Sequence, residues 1–121
     1  MLQRLTDVLT TFTGITTTTF SSAYDLHDVA TLSVQSKVDV TTPTGATISY
    51  QRSNVTTPGG EASATAGDWD DIDPATALTV DTTIWYSVVG PTWRWFRIKA
   101  VITGGSMTIQ NYILARGESK S

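Results

Sequence analysis

The chain has no cysteine, which excludes disulfides and thiolate metal sites and leaves the redox compartment unmarked. No run approaches the ~20 apolar residues of a membrane-spanning helix, so no membrane partner is expected. The first residues, MLQRLTDVLTTFTG, lack the continuous apolar core of a secretion signal, and the expectation is a protein made and folded in a cytosol. Without that signal, the sequon Asn54-Val55-Thr56 reads as chance. Charge is scarce, at 16% of residues against about 25% in globular chains. The balance is −3, so the basic footprint that displaces counterions from phosphates is missing and no nucleic-acid partner is expected.

What replaces charge is threonine, 23 residues in 121. Threonine is β-branched and suits strands better than helices. The length fits one domain with one core. The few charges are segregated. Residues 61–81 hold six acids and no base, whereas residues 82–121 hold five bases and one acid. Two such patches could meet across a subunit contact; the plainer alternative is two solvated surfaces.

Alternation with period two marks the strands. In VATLSVQSKVDV (Val29–Val40), Ala30, Leu32, Val34, Val38 and Val40 share one face, and Thr31, Ser33, Gln35, Lys37 and Asp39 the other. The turn residues TPTG (Thr42–Gly45) and the strand ATISYQR, with Ala46, Ile48 and Tyr50 on one face, follow, which predicts a hairpin. Residues 53–67 are small, polar and rich in turn formers, and predict a long exposed loop. Short strands are expected near Ala77–Val80 and over TIWYSVV (Thr83–Val89), the latter broken by Gly90-Pro91. Gly104-Gly105 between two alternating runs predicts a second hairpin, closed by SMTIQNYILAR with Met107, Ile109, Ile113 and Ala115 on one face. The fold class expected is all-β: an antiparallel β-sandwich or jelly roll of about six to nine strands. Residues 1–22 would form an N-terminal arm or the first strands, and residues 23–121 the sandwich. Leu2, Leu5 and Leu9 have i, i+3, i+7 spacing, which keeps a short helical turn open as the alternative for the arm.

Catalytic chemistry has little to stand on. The single histidine, His27, has Asp25 and Asp28 near it, but no nucleophile motif accompanies them. No catalytic residue, enzyme activity or cofactor is expected. DWDDID (Asp68, Asp70, Asp71 and Asp73) offers four carboxylates in six residues, as hard cations such as calcium require. The spacing departs from an EF-hand loop, and the preferred reading is an acidic turn around a buried Trp69 and Ile72 without a metal.

The densest feature is PTWRWFRIKAVITGG (Pro91–Gly105). As a strand it puts Phe96, Ile98, Ala100 and Ile102 on a core face, and Trp93, Trp95, Arg97, Lys99 and Val101 on the other. The aromatic-then-cationic stripe could stack sugar rings or bases. Aromatic and Arg enrichment also marks protein interfaces, and the acidity of the chain favours that reading. In the interface reading Arg97 would pair with an acid.

The order of these elements resembles the small β-sandwich virion structural proteins of tailed bacteriophages, of the head decoration (cement) type. The likeness runs over residues 23–117: an alternating strand (LSVQSKVDV), a turn, a strand ending in Ser-Asn (ATISYQRSN), a WDDI element, an aromatic-basic strand (WRWFRIKAVITGG) and a closing strand (SMTIQNYILARG). The insert between Ser53-Asn54 and Trp69 departs from that pattern. The resemblance implies a non-enzymatic virion protein bound to the major capsid protein and to copies of itself, as a homotrimer or homodimer. The alternatives are a tail, neck or fibre component, or a carbohydrate- or receptor-binding module using Trp69, Trp93 and Trp95 as platforms.

Overall fold

The computed structural model describes residues 7–117. The helical turn considered for the N-terminus lies partly outside them, and Asp7 to Leu9 are already strand. The described chain forms β1 (Asp7–Ile15), β2 (Thr19–Phe20), β3 (Tyr24–Asp25), β4 (Val29–Thr41) and β5 (Gly45–Ser53). A single 3-10 turn at Ala66–Asp68 leads into β6 (Asp70–Asp71), β7 (Thr76–Ala77), β8 (Thr82–Val89), β9 (Trp95–Thr103) and β10 (Ser106–Gly117). No helix among the described residues is long and apolar enough to cross a membrane.

The strands make two sheets, ordered β1-β10-β4-β8 and β2-β9-β5-β6, with β3 also on β9 and β7 also on β5. Every pairing is antiparallel. This is the expected β-sandwich. The described residues make ten strands rather than six to nine because β3 and β6 are two-residue pieces too short to leave an alternation signal; β7, also two residues long, meets the strand expected near Ala77–Val80 only at Ala77. Residues 7–22 include β1, paired with β10 from Asp7 to Phe12 and again at Ile15 beyond an irregularity, and β2, paired with β9.

Neither expected hairpin forms. β4 and β5 lie in different sheets, and so do β9 and β10. Thr42 to Thr44 and Gly104-Gly105 are arches that carry the chain from one sheet to the other at the same end of the sandwich. The physical reason is that a hairpin lays two apolar faces side by side, whereas an arch turns them toward each other across the core. Alternation is satisfied equally by both. The arches fit together closely: Thr44 N–H donates to Thr103 O at 3.1 Å, and the Thr44 hydroxyl bonds the same carbonyl. Gly104 and Gly105 have φ of 70° and 72°, and a Cβ on Gly105 would meet the carbonyl oxygens of Thr41 and Thr42.

The core follows from the alternation. Leu32, Val34, Val38, Met107, Ile109 and Ile113 from one sheet meet Ala46, Ile48, Phe96, Ile98, Ala100 and Ile102 from the other. Burial of each large aliphatic side chain contributes about 1.5–3 kcal/mol. A polar row crosses this core. Ser36 Oγ donates to Asn111 Oδ1 at 2.6 Å and lies 2.7 Å from the Tyr50 hydroxyl, and Asn111 Nδ2 donates to Thr10 O at 3.1 Å. Ser36 and Asn111 are fully buried and face each other across the β4–β10 ladder. Tyr50 reaches them from the opposite sheet, stacked at 5.1 Å on Tyr86 and at 6.1 Å on Phe96.

Gly105→Ala is expected to cost at least about 2 kcal/mol in denaturant unfolding, since it combines a positive φ with a backbone collision. Ser36→Ala leaves the Asn111 Oδ1 and the Tyr50 hydroxyl without their partner, and a loss of about 1–3 kcal/mol is expected in the same measurement. A change below about 0.5 kcal/mol would show that the row does not join the sheets.

Candidate functional site

The stripe singled out in the sequence runs along the outer side of β9, and the chain's own segments close over much of it. Trp95 is buried. Its Nε1 donates to Thr56 Oγ1 at 3.0 Å, and the Arg94 guanidinium lies 5.0 Å from its ring. Arg97 is buried between two aromatic rings, 4.2 Å from the Phe20 centroid and 4.3 Å from that of Trp69. Burial pulls the Arg97 pKa down, but a guanidinium starts so far above neutrality that it keeps its charge. Lys99 is half-buried, with Nζ 5.9 Å from the Phe20 ring. Trp93 precedes β9 and packs against the core under Arg52, whose guanidinium lies 5.3 Å from its ring. The Trp93 Nε1–H is buried with no acceptor among the described residues, so packing rather than a hydrogen bond holds the ring.

The covering segment is the polar stretch at residues 53–67. Ser53 belongs to β5, and the rest is tied down by a bridge between Thr56 and Ala62. Trp69 Nε1 donates to Ser63 O at 3.0 Å, and Ser63 Oγ donates to Asp68 Oδ2 at 2.5 Å. Trp69 is thus buried as expected for the centre of an acidic turn, while Ile72 packs on the core from a half-buried position. The acids of the turn do not converge on one point. Asp71 Oδ1 accepts from Gln51 Nε2 at 2.9 Å, Asp73 lies beside Tyr86, and Asp70 is exposed. Among the described residues no three acids or histidines are placed to hold one metal ion.

Basic and acidic segments meet within this one chain. Arg97 Nε donates to Gln51 Oε1 at 2.7 Å, and the amide of Gln51 passes on to Asp71. Gln51 stands opposite Arg97 on β9 and opposite Asp71 on β6, so register builds the relay. The acid expected beside Arg97 is therefore replaced by a glutamine. A second link joins Arg94 to Asp25 through Nε–Oδ1 at 2.8 Å and NH2–Oδ2 at 3.0 Å. Burial alone would raise the Asp25 pKa, but the Arg94 bonds, the His27 backbone N–H and the charges of both residues outweigh it and hold the carboxyl below its usual value. This commits Asp25 to Arg94. The His27 imidazole is exposed, with Nε2 3.6 Å from Asp28.

Two exposed aromatics escaped the sequence reading. Across the outer face of the four-stranded sheet, Leu9 faces Tyr112, Tyr112 faces Gln35 and Gln35 faces Trp85. Trp85 is 66% exposed, Leu9 55% and Tyr112 41%, and Leu114 beside them is also exposed. At ~4.8 Å per strand the row is about 14 Å long. The signal was present, since Trp85 shares the parity of Thr83 and Ser87. That it lines up with Tyr112 depends on β4 lying between β8 and β10.

A cleft of about 340 Å³ opens at the rim of the sandwich, lined by Arg52, Ser53, Asn54, Asp68, Asp70, Thr92 and Trp93. It brings one residue of the stripe, Trp93, together with two of the acidic patch, Asp68 and Asp70. Trp95, Arg97, Lys99, Asp71 and Asp73 lie outside it.

No protein-family model matches the chain, and no curated protein matches it in sequence. Among solved structures, it is similar to one described as "CBM4 structure and function", with a TM-score of 0.48 and 16% identity over 82% of this chain and 61% of that one. It is also similar to the SPBc2 prophage-derived protein YomS, with a TM-score of 0.46 and 15% identity over 88% of this chain and 94% of that one. A third is the CBM22-1 xylan-binding domain from Paenibacillus barcinonensis Xyn10C, with a TM-score of 0.46 and 9% identity over 80% and 65%. The chain spans about three fifths of the first of these structures. At these values the likenesses assign no family and no activity to this chain.

The Asp25 carboxyl sets an acid limit. Its folded pKa lies below the unfolded value of 3.8, so the stabilisation is present above that value and is lost as pH falls through the folded pKa. The thermal midpoint of the wild type should fall more steeply between about pH 5 and pH 2 than that of Asp25→Asn, which should start lower at neutral pH. Parallel curves would show that the pair does not contribute.

Proposed function

We propose that this chain is a non-enzymatic structural protein of a bacteriophage particle, a head decoration protein that binds the outer surface of the major capsid protein. The observation that carries this reading is the exposed row Leu9–Tyr112–Gln35–Trp85 on the outer face of the four-stranded sheet. Exposed aromatics grouped with aliphatic residues on a weakly charged face suit a protein contact. The stripe on β9 is less suited, because Trp95 and Arg97 are occupied by Thr56, Phe20, Trp69 and Gln51. The resemblance in element order to small virion sandwich proteins supports the same class.

Function in this reading is mechanical. A sandwich joined through its core by hydrogen bonds presents a rigid face, and burial of apolar area on it contributes ~25 cal/mol per Å² before the costs of association. Repetition on a lattice, as dimers or trimers at symmetry axes, multiplies weak single contacts into stable occupancy. The location is the virion.

The test is the copy number of the chain in purified particles of the phage that encodes it, relative to the major capsid protein. Hundreds of copies are expected. About six to twelve would move the chain to the neck, tail or fibre, and absence would overturn the reading. Trp85→Ser with Tyr112→Ser should reduce occupancy of heads at least about tenfold, as loss of aromatic anchors does, with no loss of thermal midpoint.

A further inference from the structure

The cleft at the rim of the sandwich has a chemistry that the proposed role does not use. It lies where the inward-facing side of β5 runs past the end of the core, so that Arg52 follows Ala46, Ile48 and Tyr50 in parity but is exposed. Opposite it in register stands Asp70 of β6. Side chains directly opposite on adjacent strands have Cβ atoms about 5 Å apart, close enough for an ion pair. Yet among the described residues neither the Arg52 guanidinium nor the Asp70 carboxylate has a hydrogen-bond or ion-pair partner. Arg52 lies over Trp93 instead. A donor group and an acceptor group thus face one space without closing it.

The other lining groups add to both kinds. Asn54 Oδ1 is taken by the Arg94 backbone N–H at 2.7 Å, which leaves its amide N–H groups as donors. Asp68 commits Oδ2 to Ser63, which leaves Oδ1 as an acceptor. Thr92 contributes a hydroxyl that can do either.

This mixture discriminates among ligand classes. An anion such as phosphate would meet two carboxylates. A divalent cation would meet the guanidinium and find only two carboxylates, short of the six to eight oxygens that calcium takes. An apolar ligand would strip water from three charges without replacing it. A neutral polyol answers both kinds of group: its hydroxyl hydrogens go to Asp68 and Asp70, and its oxygens accept from Arg52 and Asn54. We infer that this cleft is a binding site for a neutral saccharide unit. The volume, about 340 Å³, is at the small end of ligand pockets and suits one or two sugar rings.

The experiment uses the free chain, so its outcome is independent of any particle. The ¹⁵N-labelled protein is titrated with the methyl glycosides of glucose, galactose, mannose and N-acetylglucosamine to roughly 50 mM, where a Kd of about 1 mM saturates. At least one glycoside is expected to shift the amide resonances of Asn54 and Asp70 and the indole resonance of Trp93. Arg52→Gln and Asp70→Asn, both at exposed positions, should each weaken that glycoside about tenfold or more. Lys37→Gln on the other sheet should leave its affinity unchanged. The proposal is overturned if no glycoside shifts the cleft, if the shifts fall only around Trp85 and Tyr112, or if inorganic phosphate or calcium shifts the cleft and the glycosides do not.

Discussion

The close approach of Gly105 to the carbonyl oxygens of Thr41 and Thr42 is the constraint on which the rest of the molecule depends. It lets two arches pack against each other at one end of the sandwich. β4 and β10 are thereby neighbours in one sheet, and β5 and β9 are neighbours in the other. Those four strands carry most of the core, and the sheets they define face each other with Ile48, Phe96 and Ile98 against Val34, Ile109 and Ile113. A side chain at Gly105 would force the arches apart. The polar row from Tyr50 to Thr10 then locks the two sheets in position, because its members come from both sheets and can be satisfied only together.

From this pairing follows the fate of the aromatic-basic strand. With β9 held between β5 and the short strands β2 and β3, its outer side lies beneath the polar segment after β5 and beneath Phe20. A buried guanidinium needs compensation. Arg97 receives it from two ring faces and from Gln51, which passes the contact to Asp71. The acidic turn and the basic strand, distant in sequence, are thereby two ends of one internal network. The outer face of the opposite sheet has no such cover among the described residues, and it is where the large exposed side chains gather.

Much of the fold was legible in the residues themselves. The parity of Leu32, Val34 and Val38, of Ile48 and Tyr50, and of Met107, Ile109 and Ile113 assigned the core faces, and all of these side chains are buried. Ser36 and Asn111 share those faces, but polar residues at core positions leave no alternation signal, so the row they form was silent. The two-residue strands β3 and β6 were silent for a different reason, since a strand that short has no period. For the site, the stripe and the acidic turn were visible as composition. Their division among a buried cation, a relay and an open cleft was not, because it depends on which residues stand opposite each other.

The amino-acid sequence by itself determined the all-β class, the inward and outward faces of each long strand and the places where strands end, because steric preference, alternation and turn chemistry act over a few neighbouring residues. Only the tertiary structure decided that the glycine pair turns between sheets rather than within one. Only it placed Trp85 in a row with Tyr112, and Arg52 opposite Asp70 without an ion pair. The physical reason is that these outcomes rest on pairing between strands far apart in the chain, and period-two alternation fits a hairpin and an arch equally well.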